Sequence, residues 1–301
     1  MPIQNTFPAL PPDVLNPRDI GVGEHNLQPD DPDYTWHLLA EGDSWFTIAA
    51  IPSSNLLYGL RLARWTLILN LAYPGDTIRH MSELSDHKDL VRFLAQKNFC
   101  SRFDALLLSG GGNDLIDAAA ELIHVSPSPG LNPQDPVAYI DETRLRKLLS
   151  NIQDGYKRIV ELRDAVGGLS QGAPAFLHTY DYVTPRNAPG RFLGTVAIKG
   201  PWLWPIFKNS ALGVSLQQRI ADRLIDRLAE ALLALDSDRG APGKKLPAFH
   251  VVDTRHTLLP ANPSDVGTSN DWLNEIHPNM AGYNKIAARL SDAVNARLMG
   301  V

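Results

Sequence analysis

Cysteine is almost absent from this sequence, because Cys100 is the only one among 301 residues. A single thiol excludes a disulfide within the chain and any metal or redox site built on a Cys-x-x-Cys pair. Apolar runs long enough to span a bilayer are also absent. The N-terminus has neither a basic start nor an apolar run, so it does not indicate a secretory signal. We expect a cytoplasmic location by default, and secretion by another route stays open.

An excess of positive charge is missing as well. The formal net charge is −5 and the isoelectric point is about 6.0. A net-acidic protein does not attract nucleic acid or an anionic membrane surface as its main partner. Hydrophobic residues make up 44% of the chain and charged residues 20%, which is usual for a soluble globular enzyme. We expect a small-molecule partner and no nucleic acid, and the composition gives no indication of the oligomeric state.

Short apolar runs alternate with longer amphipathic segments from Trp36 onward. This alternation predicts an α/β fold, in which helices cover both faces of a parallel sheet. Residues 1–34, rich in proline, aspartate and asparagine, are predicted to form an irregular arm, and residues 35–301 a single domain. The predicted strands are Trp36–Ala40, Trp65–Leu71, Ala105–Ser109, Ala175–Thr179 and Phe249–Asp253, and the predicted helices are Asp86–Phe99, Ile140–Val166, Val214–Leu235 and Met280–Leu298.

Two connections, 117–139 and 184–210, are longer than plain crossovers between strand and helix. Both follow predicted strands, so both are expected at the carboxyl edge of the sheet, where such folds bind ligands. The second connection, called the flap insertion below, combines four prolines with four aromatic residues. Its Trp202 and Trp204 fit either a core position or a wall that faces the substrate.

Several motifs fall at that same edge. Gly42-Asp43-Ser44 follows the first predicted strand, Gly75 the second and Gly111-Gly112-Asn113 the third, while His277 precedes the last predicted helix. Each alone has a simpler explanation, such as a helix cap, an ordinary turn or a structural histidine. The glycine run also lacks the spacing of a phosphate-binding loop. Their common order and placement favour a catalytic site.

These motifs together resemble the SGNH (GDSL-like) hydrolase family, from Trp36 to the end of the chain. The resemblance implies a flavodoxin-like three-layer α/β/α sandwich with a mainly parallel five-stranded sheet, and it implies ester hydrolysis. It assigns Ser44 as nucleophile and His277 as general base, and a serine hydroxyl needs such a base. The oxyanion donors that it implies are the backbone N–H groups of Ser44 and Gly75 and the side-chain amide of Asn113. We expect no cofactor and no metal.

One position departs from the family pattern. The family has an aspartate three residues before the histidine, where this sequence has Asn274. A neutral amide orients an imidazole but stabilises the imidazolium less than a carboxylate does. We place Asn274 first as the orienting residue and Asp271 second as a carboxylate alternative. Glu275 and a backbone carbonyl also stay open.

The expected function is that of a serine esterase or lipase-type hydrolase, which cleaves a carboxylic ester through an acyl-enzyme on Ser44. The sequence does not choose between a lipid-like ester, an acetylated carbohydrate and a thioester. The alternative is a non-catalytic acyl- or sugar-binding protein on the same fold. Asn274 favours that alternative, whereas the joint presence of Ser44, Gly75, Asn113 and His277 favours catalysis.

Overall fold

A parallel sheet forms the centre of the protein. The computed structural model describes residues 9–23, 26–47, 55–83, 88–192 and 196–300. The sheet strands are β1 (Asp13–Leu15), β2 (Trp36–Gly42), β3 (Thr66–Asn70), β4 (Ala105–Ser109), β5 (Ala175–His178) and β8 (Phe249–Val252). A separate antiparallel hairpin consists of β6 (Gly190–Phe192) and β7 (Val196–Lys199).

The strand order is β1-β3-β2-β4-β5-β8, and every neighbouring pair is parallel. Without β1, this is the flavodoxin-like order 2-1-3-4-5, which confirms the predicted fold class. The prediction of five strands was one short. The sixth strand, β1, comes from the arm predicted to be irregular and pairs with Leu67–Leu69 of β3. Three residues between prolines are too short to show a strand pattern. Residues 1–8, 24 and 25 of that arm lie outside the described residues.

The long helices follow the amphipathic segments. The predicted helix Asp86–Phe99 starts outside the described residues, and within them it ends at Ala95, before the exposed Phe99. The helices are α1 (Ser44–Thr47), α2 (Leu56–Gly59), α3 (Ile78–Ser82), α4 (Lys88–Ala95), α5 (Gly112–Asp117), α6 (Ala119–Leu122), α7 (Glu142–Arg163), α8 (Trp204–Phe207), α9 (Val214–Leu233) and α10 (Met280–Met299), with 3₁₀ turns at Pro17–Asp19 and Pro136–Tyr139.

The core lies on both faces of the sheet, because β3, β4 and β5 are buried at every position. Helix α7 packs with α3, α4 and α9, whereas α10 packs with α2, so each face has its own helical layer. Fully buried leucines such as Leu38, Leu107 and Leu177 fill the space between the layers. Each such side chain contributes about 2 kcal/mol on burial.

The carboxyl edge of the sheet needs glycine at two close turns. A Cβ at Gly42, the last residue of β2, would lie 2.7 Å from the backbone oxygen of Ser109 on β4. Gly111 has φ of +96°, in the left-handed region that glycine adopts at little cost. These two turns carry the chain from the sheet directly into α1 and α5, the helices that begin beside the candidate site.

We predict that Gly155→Ala destabilises the fold, although alanine is the better helix former. Gly155 lies where α7 crosses α3, and a Cβ there would lie 2.1 Å from Ile78 Cγ2. Overpacking of this kind costs roughly 1–3 kcal/mol. The melting temperature should therefore fall by several degrees. Gly267→Ala is the control, because its Cβ would meet nothing within 4 Å. Equal melting temperatures for the two variants would contradict this account of the helix contact.

Candidate active site

Ser44 and His277 meet at the carboxyl edge of the sheet. Ser44 is the first residue of α1, directly after the tight turn that ends β2. Its Oγ lies 2.8 Å from His277 Nε2, although 233 residues separate the two along the chain. Both residues are buried. The structure therefore places the predicted nucleophile and the predicted base within hydrogen-bonding distance.

Asn274 holds His277 in place. Its Oδ1 lies 3.0 Å from His277 Nδ1 and also accepts the backbone N–H groups of Ile276 and His277, at 3.0 Å and 2.9 Å. Because an amide oxygen only accepts, Nδ1 must carry the proton, and Nε2 is left free to accept from the Ser44 hydroxyl. The position that departs from the family pattern is thus the one that orients the imidazole.

The two neighbouring carboxylates point elsewhere. Asp271, the alternative predicted from the sequence, accepts from the Leu259 N–H at 2.7 Å and from Lys285 Nζ at 2.5 Å. The carboxylate of Glu275 instead binds backbone N–H groups of the flap insertion. The structure therefore brings Asn274 to the histidine and neither of these carboxylates.

The electrostatic surroundings keep His277 neutral. Burial lowers the pKa of the imidazole to about 3, and the positive charge of Lys199 acts in the same direction. A neutral imidazole is the form that accepts a proton from serine. The ring is therefore ready to act as a base throughout the neutral range.

The predicted oxyanion donors surround the Ser44 turn. In the described part of the chain, the backbone N–H groups of Ser44 and Gly75 donate to no protein acceptor. Gly75 follows β3 in a loop tied to the Ser44 turn, since the Tyr73 N–H donates to the Gly42 carbonyl at 2.9 Å. Asn113 at the start of α5 donates one amide hydrogen to the Asp76 carbonyl at 2.9 Å. This bond fixes the amide and leaves its second N–H for a ligand.

A small cavity adjoins Ser44 and Asn113. Its volume is about 30 Å³, enough for only a few water molecules. Most of its wall is apolar. The apolar lining consists of Trp45, Leu115, Ile116, Val183, Ile225 and Ile276. Among the described residues, this opening beside the serine suits a short hydrocarbon group.

Sequence reasoning did not find the polar network next to Ser44. Asp43 is buried, and its carboxylate accepts from the Tyr180 hydroxyl at 2.5 Å, the Ser109 hydroxyl at 2.8 Å and the Trp45 N–H at 3.0 Å. Burial raises the pKa of Asp43 to about 6 despite these bonds. His178 Nε2 extends the network to Ser109 at 3.0 Å. The aspartate inside the Gly-Asp-Ser motif is the signal that the sequence offers for this network, and a helix cap is only its simpler alternative.

The flap insertion contributes Trp202 to the site. The indole lies edge-on to the His277 ring, with 5.6 Å between ring centroids, so this predicted residue adjoins the base. Trp204 begins α8, and its ring lies 5.5 Å from Lys208 Nζ. Residues 193–195 of the insertion lie outside the described residues, and so does the side chain of Phe192. Of the two tryptophans, the structure places only Trp202 against the histidine.

The family model for GDSL-like lipase/acylhydrolase matches residues 42–290. This span includes every motif described above. The chain belongs to this family. The protein is therefore an ester-cleaving hydrolase of the GDSL, or SGNH, type, and the resemblance stated from the sequence is confirmed.

Several solved structures are similar to this GDSL-like hydrolase. An aryl esterase of M. smegmatis shares 12% identity over 86% of this chain and 98% of its own, with a TM-score of 0.41. A carbohydrate acetylesterase from Sinorhizobium meliloti shares 14% over 86% and 98%, with a TM-score of 0.39. A lipase/acylhydrolase from Enterococcus faecalis shares 12% over 86% and 96%, with a TM-score of 0.38. No curated protein matches the chain.

Across the described ranges, no group of three His, Cys, Asp or Glu side chains has an arrangement that would hold a metal ion. In the same part of this GDSL-like hydrolase, no helix combines the length and the apolar character needed to cross a bilayer.

We predict that the His277 ring stays neutral at pH 5. Its pKa is lowered from 6.5 to about 3 in the folded protein, whereas the unfolded chain keeps the ordinary value. Because the folded pKa is the lower one, this group contributes stability above pH 6.5 and progressively loses it as the pH falls towards 3. Nitrogen NMR of labelled histidine should show protonated Nδ1 and bare Nε2 at pH 5. A midpoint near 6.5 would contradict the burial argument.

Proposed function

We propose that this hydrolase cleaves a carboxylic ester through an acyl-enzyme on Ser44. The observation that carries the proposal is the 2.8 Å distance between Ser44 Oγ and His277 Nε2, with Nε2 left as the acceptor. A serine hydroxyl is a weak nucleophile at neutral pH unless such a base removes its proton.

The reaction divides into two steps. His277 Nε2 takes the Ser44 proton while Oγ attacks the ester carbonyl, and the same nitrogen then gives that proton to the departing alcohol oxygen. Water next attacks the acyl-serine with His277 again as base, which releases the acid and restores the hydroxyl. In each step the carbonyl oxygen becomes negative and is stabilised by the N–H groups of Ser44, Gly75 and Asn113, each worth about 3–4 kcal/mol.

Asn274 serves this mechanism as an orienting group. Its amide oxygen holds the Nδ1–H tautomer, which keeps Nε2 available, but it carries no full charge to stabilise the imidazolium. We infer that the protein works with a Ser-His-Asn arrangement, in which orientation contributes more than charge.

The cavity beside the serine supports a short acyl group. At about 30 Å³ among the described residues, it suits an acetyl-sized or slightly longer group better than an extended lipid chain. Of the three substrate classes left open by the sequence, this favours an acetylated carbohydrate over a lipid-like ester, and it does not separate an oxygen ester from a thioester. The apolar lining fits the methyl end of such a group.

The rival function is an acyl- or sugar-binding protein that does not turn its ligand over. The asparagine in the third position is the observation in its favour. A fluorophosphonate probe separates the two functions, since an activated serine reacts with the probe and an idle serine does not.

We predict that Ser44→Ala removes fluorophosphonate labelling and lowers kcat for 4-nitrophenyl acetate by at least about 10⁴-fold, as loss of a catalytic serine does. Circular dichroism should be unchanged, because the substitution removes a single oxygen. The exposed Ser264→Ala serves as the matched control and should label fully. Labelling that persists in Ser44→Ala would assign the nucleophile to another serine.

We predict that Asn274→Ala lowers kcat by roughly ten- to hundredfold, since it removes the bonds that orient the base. Asn274→Asp should be at least as active as the natural protein, because all three donors to Oδ1 remain and a carboxylate stabilises imidazolium better. Asp271→Asn is the control, since Asp271 binds Lys285 and the Leu259 N–H. A larger loss of kcat in Asp271→Asn than in Asn274→Ala would overturn the assignment.

A further inference from the structure

Lys199 brings a cation to the rim of the active site. It is the last residue of β7 and is exposed. Its Nζ lies 3.9 Å from the position that a Cβ at Gly75 would occupy. The same charge is near enough to His277 to lower the pKa of the imidazole, second only to burial. The ammonium therefore lies near the loop that carries Gly75, and its charge acts on the His277 imidazole.

The hairpin that carries Lys199 packs against Asn274 and Trp202, which adjoin His277. Gly190 of β6 pairs with Lys199. A Cβ at Gly190 would lie 3.7 Å from Asn274 Nδ2 and 3.7 Å from the Trp202 ring. The base of the hairpin is thus held against the group that orients His277 and the ring that adjoins it. This contact fixes the point from which the lysine side chain extends towards Gly75.

Lys199 has no protein partner in the ranges that the structure describes, where it makes neither an ion pair nor a side-chain hydrogen bond. The contrast is Lys285, which pairs with Asp271 at 2.5 Å. An unpaired ammonium beside a binding site keeps its charge available for an anion.

The geometry also determines which part of the substrate meets this cation. The acyl cavity lies on the side of Asn113, and its lining includes neither Gly75 nor Lys199. The departing oxygen must lie beside His277, because Nε2 protonates it. The hairpin of Lys199 lies against Asn274, which holds His277, so Lys199 faces the alcohol part of the ester and not the acyl cavity.

We propose that Lys199 binds an anionic group on the alcohol part of the substrate. The natural substrate would then be a short-chain acyl ester of an alcohol that carries a negatively charged group such as a carboxylate. This inference rests on the proposed function, which determines that the acyl group enters the cavity and the alcohol part lies beside His277. Lys199 would act as a specificity residue, which selects among esters by the charge of the leaving alcohol.

The test compares two acetyl esters of the same size, 4-acetoxybenzoate with an anionic leaving group and 4-acetoxybenzamide with a neutral one. The readout is the ratio of their kcat/KM values. Lys199→Met keeps the apolar stem and removes the charge, so it should lower the ratio about fivefold, as expected for a partly exposed ion pair. Lys199→Arg and the control Lys208→Met should keep the ratio, and added salt should lower the ratio only in proteins that keep a cation at position 199.

If Lys199→Met loses activity equally on both esters, so that the ratio is unchanged, the proposal is overturned. Lys199 would then stabilise either the negative carbonyl oxygen or the folded protein. A second arm does not depend on turnover. Calorimetry with the Ser44→Ala protein should show that adding Lys199→Met weakens binding of 4-acetoxybenzoate, but not of the amide, by a similar factor. Such a difference in binding without any turnover or labelling in the natural protein would reject the proposed catalysis and keep only the binding of an anionic group by Lys199. Equal effects on both ligands would reject the inference.

Discussion

The carboxylate of Glu275 joins the two segments on which the active site depends. It is fully buried, and it accepts backbone N–H groups from Arg186, Trp202, Leu203 and Trp204. Its own backbone N–H donates to the Ala188 carbonyl at 2.9 Å. Burial raises the pKa of this carboxyl, and the four N–H groups oppose that shift. One side chain thus fixes the flap insertion to the loop that carries Asn274 and keeps Trp202 beside His277.

Arg186 completes this connection from the other side. Its guanidinium is buried and donates to the carbonyls of Asn274, at 2.7 Å, and Asp265, at 3.0 Å. A buried cation and a buried anion are costly to desolvate unless their hydrogen bonds are satisfied. In this pair most of the bonds go to backbone rather than to each other. The two charges therefore hold the loops of the site in position through bonds to their backbone.

The sequence predicted what depends on local pattern and order. Strand β4 occurs at its predicted bounds because its buried residues form one apolar run between polar ends. The position of Ser44 at the carboxyl edge follows from its place directly after a parallel strand, whereas His277 was assigned by the family resemblance. The polar network of Asp43 was missed, since its partner Tyr180 lies 137 residues away. The bonds of Glu275 to the flap insertion were missed for the same reason, because its partners are distant along the chain. Lys199 was missed because its hairpin lies in an insertion with no regular pattern.

Strand β1 has a further consequence for the sheet. Without it, β3 would present a row of open N–H and C=O groups along one side of the molecule, which is a template for joining another chain edge to edge. The arm covers this row over Leu67–Leu69. Pro11, Pro12 and Pro17 flank the covering strand closely, and proline offers no N–H to a further neighbour. The N-terminal arm thereby ends the sheet on that side and protects the hydrolase against edge-to-edge pairing with another chain.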